Sequence, residues 1–136
     1  MKLKIIQAEY VEFIPKELEN GILYVSRKYR TASHLCCCGC GTKIVTPLRN
    51  TEYVLIEGGQ FVSLYPSIGN WNHPCQSHYW ISDNHVVWSR QMSKEEIMMG
   101  RTYDDALKDY YFNRAACPWW RFGLHKLQQL LCNIFK

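Results

Sequence analysis

The first ninety residues contain short apolar and β-branched runs that are separated by turn residues. Runs of this length with intervening polar and glycine positions are typical of strands. Glu57 to Gln60 and Ser82 to His85 have the composition of hairpin turns, so neighbouring strands are expected to pair antiparallel. The predicted strands are Leu3–Ile6, Ile22–Ser26, Lys43–Pro47, Tyr53–Ile56, Phe61–Leu64, Tyr79–Ser82 and Val86–Ser89. This pattern predicts a small, mainly antiparallel sheet, shaped like a barrel or a sandwich.

The period of the apolar positions changes after Arg90. Ser93 and Glu96 form a capping-box pair, Gly100 is a candidate helix end, and residues 103–113 read as a second helix. A third helix is expected after Pro118. One face of it would carry Phe122, Leu127, Leu130, Leu131 and Ile134 and another Arg121, Lys126, Gln128 and Gln129. The fold class is therefore α+β, as one domain over 1–136 with a strand-rich core (1–90) and a helical C-terminal extension (91–136).

Length, charge and cysteine content limit the class of protein. The chain has 136 residues, a formal net charge of +4 and seven cysteines. An odd cysteine count and an acidic rather than apolar start argue against a secreted disulfide scaffold, so a reducing, cytoplasmic setting is expected. No segment is long and apolar enough to predict a membrane span, and the mild charge falls short of a nucleic-acid-binding surface.

Two short segments hold most of the soft metal ligands. The first runs from His34 to Gly41 and contains four cysteines, and the second runs from Pro74 to His78. Because Zn²⁺ in a closed site takes four thiolate or imidazole donors, these segments predict a zinc site. The predicted ligands are Cys36, Cys38, Cys40 and Cys75, with His34 or His78 as possible replacements for a thiol. Cys37, Cys117 and Cys132 are expected to be buried apolar residues.

A second group of polar residues follows the strand that begins at Phe61. Ser67 between Pro66 and Gly69 is expected on an exposed turn, and His78 lies eleven residues later. A serine and a histidine in that order could be a nucleophile and its base, with main-chain amides near Gly69 and Asn70 binding an oxyanion. The alternative is that the serine belongs to a hydrogen-bonded turn and the histidine is a zinc ligand. The residues alone favour this structural interpretation.

Several of these motifs resemble the bacterial domain-of-unknown-function family 6527. The resemblance covers about residues 10–90 and is carried by five segments: 21–26, 34–41, 47–48, 63–71 and 74–81. It implies a place in bacterial operons that encode ubiquitin-like proteins with their activating and conjugating enzymes. By position it implies a functional role for the cysteine cluster, Ser67, Asn70 and His78. The family usually has proline at the position of Cys37, which supports leaving Cys37 out of the metal site.

With this resemblance, the leading hypothesis is a zinc-stabilised peptidase that processes a ubiquitin-like protein or removes it from its conjugates. Ser67 would be the nucleophile and His78 the base, and a third catalytic member could be Asn70, His34, Glu57 or Asp83. One alternative is a metallopeptidase that uses a zinc-bound water. Another is a non-catalytic zinc adaptor, with Trp71, Tyr79 and Trp80 lining a recognition surface and Lys28, Arg30 and Arg49 facing an acidic partner.

Overall fold

A computed structural model of the chain describes residues 1–115 and shows two four-stranded sheets followed by a helix. The strands are β1 (Gln7–Tyr10), β2 (Ile22–Ser26), β3 (Thr31–Leu35), β4 (Lys43–Pro47), β5 (Val54–Gly58), β6 (Phe61–Gly69), β7 (His78–Ser82) and β8 (His85–Trp88), and the helix is α1 (Lys94–Ala115). The expected α+β class with mainly antiparallel pairing is confirmed. The sheets are separate, so the barrel alternative is wrong for the described residues.

The two sheets differ in how their strands are connected. The first has the order β1-β2-β3-β4, in which β1 pairs parallel with β2 and the other pairs are antiparallel. The second has the order β5-β6-β7-β8 and is antiparallel throughout, with an irregularity in β6 between Leu64 and Ile68. Consecutive antiparallel strands need only short connections. The candidate functional residues lie in or beside these connections.

Buried apolar side chains from both sheets form one core. Leu23 and Val25 of β2 and Ile81 of β7 are among its members, each at most 1 % exposed. The segment before β1 joins the sheets: Ile5 forms an isolated bridge with His85, and the Trp88 indole donates to the Leu3 carbonyl at 3.1 Å. The functional loops are therefore attached to a core that both sheets share.

The sequence pattern failed at two strands. Residues 3–6 were predicted to form a strand, but β1 begins at Gln7 and only Ile5 makes a bridge. β3 was missed because its middle residues, Ala32, Ser33 and His34, are small or polar although all three are buried. A search for alternating apolar residues misses a central strand whose buried side chains are polar and hydrogen-bonded.

The helix α1 is continuous through Gly100, so the predicted break there is wrong. An interior glycine lowers helix stability by about 1 kcal/mol relative to alanine, which is too little to end a long helix. The capping box is confirmed, because Ser93 N–H donates to Glu96 Oε2 at 2.8 Å and Glu96 N–H donates to Ser93 Oγ at 3.2 Å. The predicted third helix and the predicted burial of Cys117 and Cys132 lie outside the described residues.

The chain divides into two compact units, Met1–Ile97 and Met98–Lys136. Both sheets and the capping box belong to the first unit, and residues 98–115 of α1 are the described part of the second. Over residues 1–115, no helix combines the length and apolar character that crossing a membrane requires.

Candidate metal and catalytic site

Four cysteine side chains meet between two loops. Cys36, Cys38 and Cys40 lie in the connection between β3 and β4, and Cys75 lies in the connection between β6 and β7. Their Sγ atoms all lie within 4.8 Å of one another. These are the four residues that the sequence predicted as ligands, brought together from segments about 35 positions apart.

The first loop has the curled shape that places three thiols on one side. The Cys36 N–H donates to the Thr42 carbonyl at 2.8 Å, and the Gly39 N–H donates to the Cys36 carbonyl at 3.0 Å. Gly39 has φ +88, and a Cβ there would lie 3.0 Å from the Met1 nitrogen. Only glycine meets both requirements without strain, so this residue allows the loop to turn back on itself.

Two polar side chains support the thiol cluster from the second loop. Ser77 Oγ lies 3.1 Å from Cys36 Sγ and 3.5 Å from Cys75 Sγ. The Asn70 side-chain amide donates to Ser77 Oγ at 2.8 Å and to Cys36 Sγ at 3.4 Å. Hydrogen-bond donors beside sulfur stabilise thiolate charge and fix the orientation of metal ligands. Asn70, which the sequence placed among catalytic residues, therefore lies at the thiol cluster.

The cluster has the dimensions of a site for one metal ion. Four thiolates at about 2.3 Å from a tetrahedral zinc would be separated by about 3.8 Å, which agrees with this compact group. Within residues 1–115, neither His34 nor His78 belongs to it. The Thr42 hydroxyl lowers the pKa of the Cys40 thiol to about 6, whereas burial raises the pKa of the neighbouring Cys38 thiol, so Cys40 is the one of this pair that favours the thiolate form that metals bind. The residues present thus fit a metal ion such as zinc.

Cys37 and His34 belong to the core. Cys37 is fully buried, and burial raises the pKa of its thiol to about 11. His34 is also fully buried, its Nε2 lies 2.8 Å from the Tyr79 hydroxyl, and burial lowers its pKa to about 4. Both side chains are therefore neutral near pH 7, and neither belongs to the group of four clustered thiols.

Ser67 and His78 lie side by side at the ends of the same hairpin. Ser67 Oγ is 2.9 Å from His78 Nε2. His78 is the first residue of β7 and pairs with Gly69 of β6, which places it diagonally across from Ser67. Ser67 lies within β6 and not on a turn, so that expectation is wrong, but its side chain remains half-buried and reachable.

The other ring nitrogen of His78 faces a main-chain oxygen. His78 Nδ1 lies 3.3 Å from the Arg90 carbonyl oxygen. A carbonyl only accepts hydrogen bonds, so this contact places the hydrogen on Nδ1 and leaves Nε2 free to accept the Ser67 proton. Arg90 thus occupies the orienting position that a carboxylate fills in a catalytic triad. No sequence motif indicates this contact, because any residue type supplies the same carbonyl.

The side chains predicted as third members lie elsewhere. The Glu57 carboxylate pairs with the Arg27 guanidinium at 2.7 Å and accepts from the Tyr10 hydroxyl. Asp83 Oδ1 lies 3.4 Å from Ser63 Oγ. Within residues 1–115, the hydrogen bonds of the His78 imidazole are to Ser67 Oγ and the Arg90 carbonyl, and none joins it to Asn70, His34, Glu57 or Asp83. The geometry is that of a serine–histidine pair with a main-chain partner.

Two indole rings flank the imidazole of His78. Trp71 lies 5.0 Å and Trp80 lies 5.3 Å from it, measured between ring centroids. His78 itself is only 9 % exposed. The two large rings help to shield the imidazole from water, and such shielding strengthens its hydrogen bonds.

One of the two expected oxyanion donors is already in use. The Asn70 N–H donates to the Ser77 carbonyl at 2.9 Å, as part of the connection between β6 and β7. That amide cannot also receive a substrate oxygen without breaking this contact. The Gly69 amide remains as the candidate named by the sequence.

Replacing His78 by glutamine is expected to distinguish its two predicted roles, general base and zinc ligand. Because Nε2 faces Ser67 and not the thiols, metal content should stay at the native level. Loss of a general base should lower kcat/KM by about 10²- to 10⁴-fold. His73→Gln, on the same loop, is the matched control and should keep both properties. Metal loss in His78→Gln would instead make the histidine a ligand.

Glu96 supports the segment that carries the Arg90 carbonyl. Its carboxylate contacts the Arg90 guanidinium at 2.6 and 3.1 Å, and the pKa of Glu96 falls to about 2, mainly through Arg90 and then through the Ser93 N–H. All of these groups are exposed, so the effect on stability is small.

The sign of the pH dependence follows from this lowered pKa. The stabilisation is fully present above the ordinary pKa of 4.5 and is lost as the pH falls toward 2. We expect Glu96→Gln to lower Tm slightly at neutral pH and to match the native Tm near pH 2. Thermal melts of both chains across that range test this, and a difference that persists at pH 2 would contradict the assignment.

The comparisons with known proteins agree with this geometry. A family described as bacterial ubiquitination-like system serine protease (BubE) matches residues 10–89, which include all four clustered cysteines, Ser67 and His78. No match was found among curated proteins or among solved structures. The description supports a peptidase, in agreement with the serine and histidine in hydrogen-bond contact. Since the match covers more than half of the sequence, the chain belongs to the family of bacterial ubiquitination-like system serine proteases.

Proposed function

We propose that this chain is a serine peptidase that cleaves after the C-terminus of a bacterial ubiquitin-like protein, either maturing a precursor or releasing the protein from its conjugates. The observation that carries the proposal is the 2.9 Å contact between Ser67 Oγ and His78 Nε2. Both residues belong to a hairpin whose loop carries Cys75 of the thiol cluster. Nucleophile and base in contact, with the base oriented by a third group, are the features of an activated serine.

The reaction follows from these two side chains. Ser67 Oγ attacks the carbonyl carbon of the scissile bond while its proton passes to His78 Nε2. The same nitrogen then gives the proton to the leaving amine as the C–N bond breaks, which leaves an acyl ester on Ser67. A water molecule then loses a proton to His78 Nε2 and adds to the ester carbonyl. The bond between the acyl carbon and Ser67 Oγ breaks as Nε2 returns the proton to Oγ, which releases the ubiquitin-like tail as a carboxylic acid and restores the serine.

The Arg90 carbonyl acts on the base in each of these steps. It accepts a hydrogen bond from His78 Nδ1, which keeps the imidazole in the tautomer that can take a proton at Nε2. It also faces the positive charge that develops on the ring. A neutral carbonyl stabilises imidazolium less than a carboxylate does, so moderate rather than high turnover is expected.

We assign the metal as Zn²⁺ with a structural role, held by Cys36, Cys38, Cys40 and Cys75. Four thiolates complete a tetrahedral shell and leave no position for a reacting water, which argues against the metallopeptidase alternative. When bound, zinc would fix the loop between β6 and β7. Ser77 connects the two sites directly, since it contacts Cys36 and precedes His78.

The adaptor alternative has less support in the structure. Tyr79, expected on its recognition surface, is fully buried, and Lys28 pairs with Glu12 on its own chain. Trp71 and Trp80 pack on His78 and so belong to the environment of the base. A recognition surface does not require a serine in contact with a shielded histidine.

The partners follow from the proposed reaction. The ubiquitin-like protein, free or conjugated, is the substrate, and the activating and conjugating enzymes of the same system would supply the conjugates. The family description supports this setting.

A cleavage assay tests the proposal. The substrate is the ubiquitin-like protein encoded nearest to this chain's gene, carrying a C-terminal extension, and product masses locate the cut. The native chain should cleave at the end of the ubiquitin-like domain, and a fluorophosphonate should stop the reaction by forming an adduct on Ser67. No cleavage by a folded, zinc-loaded chain would favour the adaptor instead.

A further inference from the structure

The edge of β6 beside Ser67 lacks a neighbouring strand. β5 pairs with β6 only as far as Tyr65, which lies opposite Val54. β6 continues to Gly69, and β7 covers the other edge of this extension through the pairs Ile68 with Tyr79 and Gly69 with His78. Within residues 1–115 no strand pairs with residues 66–69 on the β5 side.

The main-chain groups of Gly69 point toward this open edge. The Asn70 N–H donates to the Ser77 carbonyl, so Asn70 faces β7. Successive residues of a strand direct their N–H and C=O to opposite edges, and Gly69 therefore faces away from β7. Its cross-strand partner shows the same alternation, because the His78 carbonyl accepts from the Ser89 N–H at 2.9 Å on the far side.

The face above this edge is formed by Trp71. A Cβ on Gly69 would lie 2.4 Å from the Trp71 Nε1 atom, so the indole covers the position where any other residue would place a side chain. Trp71 also contacts His78. Gly69 is exposed, and Ser67 is half-buried two positions before it. The open edge, the nucleophile and the aromatic face thus lie within one short stretch of chain.

From these contacts we propose that the substrate tail binds as an added strand on the open edge of residues 66–69, with main-chain hydrogen bonds to Gly69. The inference rests on the proposed function, because the occupant is the extended C-terminal segment of the ubiquitin-like protein. An acyl group attacked by Ser67 Oγ must lie next to this edge. Strand addition supplies affinity through main-chain hydrogen bonds, and alternate side chains supply specificity.

Amide-to-ester substitution in a peptide substrate tests the added strand. The probe is a peptide with the tail sequence of the ubiquitin-like protein and a C-terminal extension, in which each amide before the scissile bond is replaced in turn by an ester. An ester removes one N–H donor without adding bulk. Because alternate residues of a strand face the same edge and the open edge spans only residues 66–69, kcat/KM should fall about three- to tenfold at one position, or at two positions separated by one residue. It should stay near the parent value at the other positions.

The peptide assay distinguishes a failure of the peptidase assignment from a failure of the added strand. No cleavage of the all-amide peptide would count against the peptidase itself. Cleavage of that peptide with equal tolerance of all esters, or with losses at consecutive positions, would overturn the added strand and leave the peptidase intact.

Hydrogen exchange gives a second measurement on the enzyme. The Ser67→Ala chain, mixed with the all-amide peptide, should show slower exchange at the Gly69 amide, while the Val87 amide of β8 should be unchanged. Unaltered exchange at Gly69 in a peptide-saturated sample would contradict the inference.

Discussion

Ser67→Ala is expected to abolish cleavage while leaving the fold and the metal content unchanged. The hydroxyl is half-buried, and its one described hydrogen bond is to His78, so its loss removes little packing. Loss of the nucleophile lowers kcat of a serine protease by about 10⁶-fold, and cleavage should therefore fall below detection. Product masses from the cleavage assay, together with metal analysis and Tm of the same sample, provide the measurement.

Ser63→Ala is the matched control for this substitution. Ser63 lies on the same strand and is also half-buried, but its hydroxyl contacts Asp83 and not His78. It should retain activity close to that of the native chain. Undiminished cleavage by Ser67→Ala would contradict the serine mechanism and favour attack by a metal-bound water.

Cys75→Ser is expected to produce the largest loss of stability of any substitution considered. Cys75 is only partly buried, so the change itself should disturb packing little. If the four thiols hold a structural zinc, however, the loss of one ligand removes binding energy that stabilises the folded chain, and the free energy of unfolding should fall by more than about 4 kcal/mol. Chemical denaturation and zinc content, measured side by side, test this.

Cys37→Ala separates metal binding from cysteine packing. Cys37 is fully buried next to the cluster but lies outside it. It should keep one zinc per chain and lose about 1 kcal/mol, as expected for a small cavity. A Cys75→Ser chain that melts like the native one would contradict a structural metal.

The sequence was sufficient to predict the four clustered thiols because the chemistry of the ligands is local. The cysteines lie in two loops, one containing glycine and the other proline, which limits the sets of thiols that can share one ion. The structure brings together Cys36, Cys38, Cys40 and Cys75. The sequence alone could not exclude His34 and His78 as metal ligands. Their exclusion depends on burial, since His34 lies in the core against Tyr79 and His78 contacts Ser67.

The contact between Ser67 and His78 was only partly predictable. The order of Ser67 and His78 along the chain allowed either a catalytic or a structural interpretation, and only strand register decides whether their atoms meet. A one-residue change of register would place His78 on the opposite face of the sheet. The two sheets and the buried polar strand β3 were likewise decided by tertiary packing, which local patterns do not report.

The Arg90 carbonyl has a consequence for how this enzyme can change by mutation. Every residue type carries the same main-chain oxygen, so no codon substitution at position 90 deletes the group that faces His78 Nδ1. A scan of side chains over residues 1–115 for a third catalytic residue should return none. The orienting contact can be lost only through a shift of the backbone, and selection on it would be seen as constraint on the path of the chain after β8 rather than as an invariant amino acid.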